Sequence, residues 1–329
     1  MPADLLKRNT FVASGFYFTV LLALWLPQLL LSSEPPAGFD SPAIAPAPAW
    51  ISRLFEPAVS TWLAFVLTFV AAMLLSFLNY RHAFCSSDNY RLPLLYILTA
   101  AAIPSTHWLS GAQPATISVL IGLNYLFHSY QKSSDLRDVF IAAFCFSLSA
   151  ICFPPALLLL LLLPAAILLL RPVAWRDWVV LLVGETLPFA YLALFYWLSL
   201  NDVAEPIKAL WPAFPIEAPA FDRPVLIFWG VVAGITVLSA GYGIPLKVGS
   251  LTKTLYGRRI FIWMLLLLAA GFVLYPAYGY DLMLLCALPV AVITAGYLAH
   301  SRHKRFKQLC WLLWLAAMVY LQWHTVHIA

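Results

Sequence analysis

The sequence predicts an all-α fold, a polytopic membrane protein of about eleven transmembrane helices, with a range of nine to twelve. Hydrophobic residues make up 63% of the 329 residues and charged residues only 10%. Soluble domains carry roughly 25% charged residues, because their surface faces water. Apolar runs of about 14 to 22 residues follow one another, and a transmembrane helix needs about 20. We therefore expect one integral membrane domain over residues 1–329.

The apolar runs are separated by short polar or proline-rich joints. The first run follows Lys7 and Arg8 and is long for a signal peptide, so we expect it to remain as an anchor. The third run holds about 14 residues, which cover roughly 21 Å of a hydrocarbon core about 30 Å thick. The third and fourth runs either each cross the membrane or together form a hairpin that enters the membrane and returns to the same side. The eleven runs cover residues 11–31, 59–79, 92–105, 115–130, 139–153, 154–170, 178–199, 224–244, 260–276, 281–300 and 309–325.

The basic residues predict the orientation. With the N-terminus in the cytoplasm, all 19 Lys and Arg residues except Arg53, Lys208 and Arg223 fall in cytoplasmic segments. This agrees with the excess of Lys and Arg in cytoplasmic loops of membrane proteins. The C-terminus is then predicted on the outer face, the periplasm if the membrane is a bacterial inner membrane. The net charge of +5 is spread over helix ends beside aromatic residues, so it does not indicate nucleic-acid binding.

Two long loops lie on the predicted outer face, and both are rich in proline and acids. They cover Ser32–Ala58 and Leu200–Pro224. Eight of the acids fall on this face in the predicted orientation. Their simplest interpretation is that they are loop residues in contact with water. Those eight acids are Glu34, Asp40, Glu56, Asp202, Glu205, Glu217, Asp222 and Asp281.

Glu185 is predicted to lie inside the bilayer, in the seventh run. A charged carboxylate at that depth is unfavourable, so such a residue pairs with a neighbour or serves a function. The seven histidines are split between the two predicted faces, which gives no metal site. The five cysteines show no CxxC pairing and are interpreted as small buried apolar residues. The sequence indicates no cofactor and leaves a divalent metal open.

The order of the elements resembles a known class of membrane enzymes. An acid-bearing outer loop follows the first span, and a tight helix pair, VFIAAFCFSLSAICFPPALLLLLLLPAAILLLRP, leads through a basic WRDW turn to another span. Over about residues 10–200 this order resembles the core of GT-C glycosyltransferases, with residues 224–325 as additional helices. The LLLRP turn (Leu168–Pro172) and Trp175–Trp178 also resemble a family of bacterial inner-membrane proteins without an established function.

The GT-C resemblance implies transfer of a sugar from a polyprenyl-phosphate donor at the outer face. It implies Asp40 as the catalytic base with Glu34 second, and it implies Arg53, Arg223 and Lys208 as residues that meet the donor phosphate. The expected partners are membrane lipids, this lipid-linked sugar and other membrane proteins. The stretch Thr106–Pro114 holds no carboxylate, although GT-C proteins often carry a second acid there. The alternative function is therefore a non-catalytic subunit or scaffold of an envelope assembly, or a lipid or solute pathway.

Overall fold

The computed structural model describes residues 10–31, 57–82, 85, 91–103, 107–130, 136–170, 172–200, 221–241, 251–300 and 304–328. Within these ranges the chain forms eleven α-helices and two short 3₁₀ helices and contains no strand. The α-helices are α1 Thr10–Leu31, α2 Pro57–His82, α3 Arg91–Ala100, α4 Ala112–His128, α5 Leu136–Cys152, α6 Leu162–Leu170, α7 Trp175–Leu200, α8 Arg223–Gly241, α9 Leu251–Leu274, α10 Gly279–His300 and α11 Lys304–Ile328. The 3₁₀ helices are Pro154–Leu161 before α6 and Pro276–Tyr278 before α10.

The membrane class is confirmed by the length and composition of the helices. In the described part of the chain, α2, α7, α8, α9 and α10 contain five segments long and apolar enough to cross a membrane. Large apolar side chains such as Leu182, Val237 and Leu312 are exposed on the outside of the bundle, where a soluble protein would place polar groups. The full count of eleven crossings stays a prediction.

The tight helix pair predicted at 139–153 and 154–170 is present. Helix α5 ends at Cys152, Phe153 is extended, and Pro154 begins the 3₁₀ helix that leads into α6. Proline at the first position of a helix is favourable, because its missing N–H would have no partner there. The chain therefore reverses within one residue.

Helix α10 lies at the centre of the bundle. Every residue from Asp281 to Ala295 is buried, and the helix packs against α3, α4, α8 and α9. The helices predicted as an N-terminal core and those predicted as additional C-terminal helices thus share one core.

Contacts between helix ends bring many of the predicted cytoplasmic residues to one end of the bundle, here called the basic end. Arg81 Nη1 donates to Asn124 Oδ1 over 3.3 Å, and His128 pairs with Asp138. Arg258 donates to the carbonyl oxygens of Ser239 and Ala240 at the end of α8. The carbonyl end of a helix attracts cations, so Arg258 caps α8.

Helix α3, within the third apolar run, is by itself too short to cross a membrane. Helix α3 has 10 residues, so it rises about 15 Å, half of a hydrocarbon core of about 30 Å. It begins at the basic end, where Arg91 Nη1 donates to Leu298 O over 3.5 Å. The described residues after Ala100, 101–103 and 107–111, belong to no α-helix, and the next α-helix begins at Ala112. We call the end of the bundle that holds residues 101–103 and 107–111 the hairpin end.

Close helix packing gives the first prediction. A Cβ on Gly184 of α7 would lie 2.8 Å from Ala143 Cβ and 2.9 Å from the Phe140 carbonyl oxygen of α5. Small residues allow membrane helices to approach this closely. We expect Gly184→Ala to destabilise the protein by about 1–3 kcal/mol, measured by thermal unfolding in detergent.

The control is Gly234→Ala in α8, where a Cβ would meet nothing within 4 Å. Alanine is the better helix former, so this variant should unfold at the wild-type temperature or slightly above it. Equal effects of the two substitutions would contradict the close α5–α7 contact.

Candidate site at the hairpin end

The joint between α3 and α4 is buried although it is not helical. All of its described residues are buried except Leu109, which is partly buried. Buried backbone outside regular helices needs hydrogen-bond partners from other parts of the protein. Side chains from other helices supply them. Leu109 N donates to Ser60 Oγ of α2 over 3.1 Å, and Gln322 Nε2 of α11 donates to Ala102 O over 3.1 Å.

Gln113, in the first turn of α4, organises the second half of the joint. Its Oε1 accepts from Ser110 N over 2.8 Å and from Ser110 Oγ over 2.9 Å, and its Nε2 donates to Trp108 O over 2.8 Å. This S-x-x-Q spacing before an apolar run is a known signature of a helix start. Gly111 lies between them, and a Cβ there would lie 2.0 Å from Cys152 O. Only glycine allows this joint to contact the α5 end so closely.

His107 is enclosed in the joint and only 1% exposed. Its Nε2 donates to Ala101 O over 3.2 Å, and its ring stacks on Trp25 of α1 with a centroid distance of 4.2 Å. Burial lowers the pKa of His107 to about 4, and the bond to Ala101 opposes this only in part. The imidazole is therefore neutral at pH 7, and its Nδ1 carries a lone pair.

Asp281, in the first turn of α10, completes the cluster. It is 6% exposed, and the Ser110 side chain lies beside its carboxyl group. The sequence placed Asp281 among the acids of the outer face and favoured solvation for them, and this interpretation is wrong for Asp281. Only a few residues separate α9 from α10, so their joint is too short to hold a side chain away from the bundle. This short spacing is the feature of the sequence that could have predicted the burial of Asp281.

Four polar atoms of this cluster have no hydrogen-bond partner in the described structure. They are Trp25 Nε1, His107 Nδ1, Trp108 Nε1 and Asp281 Oδ1. Most buried polar groups in proteins are hydrogen-bonded, so these atoms are exceptions to the usual pairing. We call Trp25, His107, Trp108, Ser110, Gln113 and Asp281 the hairpin cluster.

The predicted catalytic residues Asp40 and Glu34 lie outside the described residues, and so do Arg53 and Lys208. Arg223 is described and is the exposed first residue of α8. Asp222 beside it donates from its N–H to the Tyr280 hydroxyl, which in turn donates to Asp222 Oδ2, both over 3.4 Å. Tyr280 adjoins Asp281 in the chain. The bonds between Asp222 and Tyr280 therefore hold the start of α8, where Arg223 lies, near Asp281.

Glu185 lies within a candidate membrane span of α7, and its position inside a bilayer stays a prediction. It is ten residues from the start of α7, about 15 Å along the helix. Its side chain is half-buried, and Oε1 has no partner among the described residues. No described hydrogen bond connects Glu185 to the hairpin cluster.

The five cysteines form no disulfide with one another and three of them are buried, which agrees with their interpretation as small apolar residues. Among the described residues, no group of three or more His, Cys, Asp or Glu could hold a metal ion.

The fold and the cluster define a helical membrane protein with a buried polar site at one end of its bundle. The chain belongs to a family of unknown function, DUF6427, which matches residues 52–328. This match extends from before α2 through all later described helices. No curated protein and no solved structure matches the chain.

The burial of His107 predicts a pH dependence. An unfolded histidine has a pKa near 6.5, whereas His107 in the folded protein has a pKa of about 4. Between these values the unfolded state binds the extra proton, so stability falls as the pH decreases from 6.5 to 4. The loss is about 1.4 kcal/mol per pH unit at most. His107→Gln should remove this part of the dependence, measured as unfolding temperature against pH.

Other groups titrate in the same range, so the informative quantity is the difference between wild type and His107→Gln. The substitution should become relatively less harmful as the pH falls from 6.5 to 4. A constant difference over this range would show that His107 titrates normally.

Proposed function

We propose that the protein is a GT-C-like membrane transferase. It transfers a sugar from a polyprenyl-phosphate donor, and its active end is the hairpin end, facing the periplasm of a bacterial inner membrane. The observation that supports this most is that helices flanking both long segments are attached at the hairpin end. These segments carry the predicted acids and cations, and the helices that precede or follow them contact the hairpin end.

The first long segment joins α1 to α2. Near its start, Trp25 of α1 stacks on His107, and just after its end, Ser60 of α2 accepts from Leu109 N. The second long segment joins α7 to α8, and at its end Asp222 hydrogen bonds with Tyr280. The residues predicted for catalysis thus belong to segments attached around the buried cluster.

The proposed reaction needs a base and a cation. The base removes the proton of an acceptor hydroxyl while the hydroxyl oxygen attacks the anomeric carbon of the sugar. The bond from that carbon to the phosphate oxygen breaks, and polyprenyl phosphate leaves with the bonding electrons. Asp40 is the proposed base and Glu34 the second candidate. Arg53 and Arg223 suit the departing phosphate because guanidinium binds it through two parallel hydrogen bonds, and Lys208 adds charge.

The helix order supports this class. An N-terminal helix, a long acid-bearing segment, a second helix and the tight pair of α5 with the following 3₁₀ helix and α6 occur in the order of the GT-C core. The likeness to the GT-C core is in the order of the helices and in short stretches of sequence.

A non-catalytic subunit of an envelope assembly is the second candidate. It is favoured by α7, the least buried of the candidate spans. The exposed side chains of α7 include Trp178, Leu194 and Trp197, and Glu185 lies half-buried in the same helix. A partner helix that binds this face would explain a carboxyl group kept inside the membrane.

The catalytic proposal is tested with Asp40→Asn, Glu34→Gln and the double variant. Loss of a general base typically slows a reaction about 10²–10⁴-fold, while an exposed acid contributes within about ±0.5 kcal/mol to stability. We expect Asp40→Asn to reduce transfer of labelled sugar from a polyprenyl-phosphate donor by about 10²–10⁴-fold at unchanged protein abundance.

Glu56→Gln is the matched control, because Glu56 belongs to the same long segment but is not a predicted base. It should retain wild-type transfer. If the double variant fully complements a deletion strain, the transferase proposal fails and the subunit proposal takes its place.

The orientation is tested with reporters. A reporter that is active only in the cytoplasm should work when inserted between Gly241 and Leu251 and fail when fused after Ala329. We expect this result because the cations cluster in segments that meet at the basic end, and cytoplasmic loops of membrane proteins are rich in Lys and Arg. The reverse result at both positions would place the hairpin end in the cytoplasm and exclude a periplasmic reaction.

A further inference from the structure

We propose that the basic end holds a site for the phosphate group of an anionic membrane lipid, formed by Arg91 of α3 and Lys307 of α11. This inference goes beyond the proposed function, because it assigns a ligand to the end of the bundle opposite the hairpin end. It rests on the position of the two cations, on their mutual repulsion and on the apolar surface beside them.

Arg91 and Lys307 meet at the end of α10. Arg91 is the first residue of α3, and its Nη1 donates to Leu298 O in the last turn of α10 over 3.5 Å. Lys307 is the fourth residue of α11, and only three residues separate α11 from α10. This short joint keeps Lys307 at the end of α10 that Arg91 contacts. Both side chains are partly buried, so each is held in the bundle and still open to a ligand from outside.

The two positive charges lie close enough to repel each other. Burial and the nearby Arg91 guanidinium both lower the pKa of Lys307. The Leu298 carbonyl group accounts for the position of Arg91, because the carbonyl end of a helix attracts cations. Within the described ranges, no acidic side chain forms an ion pair with Lys307. Like charges held together cost free energy, and an anion between them would offset that cost.

A phosphate group suits this pair of cations. Guanidinium binds phosphate through two parallel hydrogen bonds, and the ammonium group of lysine binds it as a point charge. Arg91 and Lys307 come from different helices, so one phosphate group held by both would also link the start of α3 to the start of α11.

The surface beside the two cations favours a lipid as the source of the phosphate. Trp311 lies one helical turn beyond Lys307 on the same side of α11 and is partly exposed. Tryptophan is enriched at the level of the lipid headgroups. On the adjoining sides of α11, Leu309 and Leu312 are 51% and 67% exposed. A cation followed directly by exposed apolar side chains matches the order of headgroup and acyl chain in a lipid, whereas a soluble anion would not use the apolar surface.

The experiment measures thermal unfolding of the purified full-length protein in neutral detergent micelles. Dioleoyl phosphatidylglycerol is added at rising mole fraction, and binding to the folded state alone raises the unfolding temperature. Dioleoyl phosphatidylcholine, which carries a phosphate group but no net charge, is the lipid control. Sodium phosphate tests a free phosphate ion, and sodium chloride at equal ionic strength tests screening.

We expect phosphatidylglycerol to stabilise the protein more than phosphatidylcholine and more than either salt. Lys307→Gln should raise the mole fraction of phosphatidylglycerol needed for half of the effect by about 10- to 100-fold, the range for loss of a hydrogen bond to a charged group. Lys307→Arg keeps the charge and should retain binding. Without anionic lipid, Lys307→Gln should unfold at the wild-type temperature or above it, because the substitution removes a repulsion.

Arg305→Gln is the matched control. Arg305 belongs to the same turn of α11 and is exposed, and residues two apart in a helix do not face each other. General attraction to an anionic surface is worth about 1 kcal/mol per basic residue, which is about fivefold in binding. Arg305→Gln should therefore weaken binding by no more than about fivefold.

Four results would overturn the inference. Phosphatidylglycerol that stabilises no more than phosphatidylcholine would exclude an anionic-lipid site. Equal losses in Lys307→Gln and Arg305→Gln would show a general surface attraction. Equal stabilisation by sodium phosphate would show a site for the free ion. A lower unfolding temperature of Lys307→Gln without lipid would show that Lys307 stabilises the fold itself.

Discussion

The structure depends on the hydrogen bonding of a stretch of non-helical backbone inside the bundle. Helix α3 rises only about 15 Å, and the described residues that follow it, 101–103 and 107–111, belong to no α-helix. An unsatisfied peptide group in such surroundings costs several kcal/mol. Ser60, Gln113 and Gln322 therefore direct their polar ends at this joint from three helices. These bonds fix where α2, α4 and α11 meet.

The same constraint explains the position of α10. Short α3 leaves space at the centre of the bundle, and α10 fills it with a continuous apolar run that is buried on all sides. The one acid of this helix lies in its first turn, where a carboxyl group is favourable next to the N-terminal end of a helix. Burial of Asp281 follows from the position of α10 and brings its carboxyl group to Ser110.

The helices themselves were well predicted from sequence, because hydropathy reports the length of each apolar run. The first run, predicted at 11–31, forms Thr10–Leu31, and the predicted reversal at 153–154 is found at Phe153. The hairpin cluster was not predicted. Its parts come from α1, the α3–α4 joint and α10, and only packing brings them together. The S-x-x-Q spacing at Ser110 predicts a helix start, but nothing local in the sequence shows that this start is buried.

The two ends of the bundle satisfy backbone hydrogen-bonding groups with different kinds of side chain. At the basic end, Arg91 and Arg258 satisfy helix carbonyl groups with charged donors that also reach water or lipid headgroups. At the hairpin end, neutral donors and acceptors do this work, and His107 stays uncharged because burial lowers its pKa. The charged donors of the basic end are only partly buried, whereas the polar side chains of the hairpin end are enclosed in the bundle. Neutral groups suit the enclosed end because burial of a charge costs more than burial of a neutral polar group that is hydrogen-bonded.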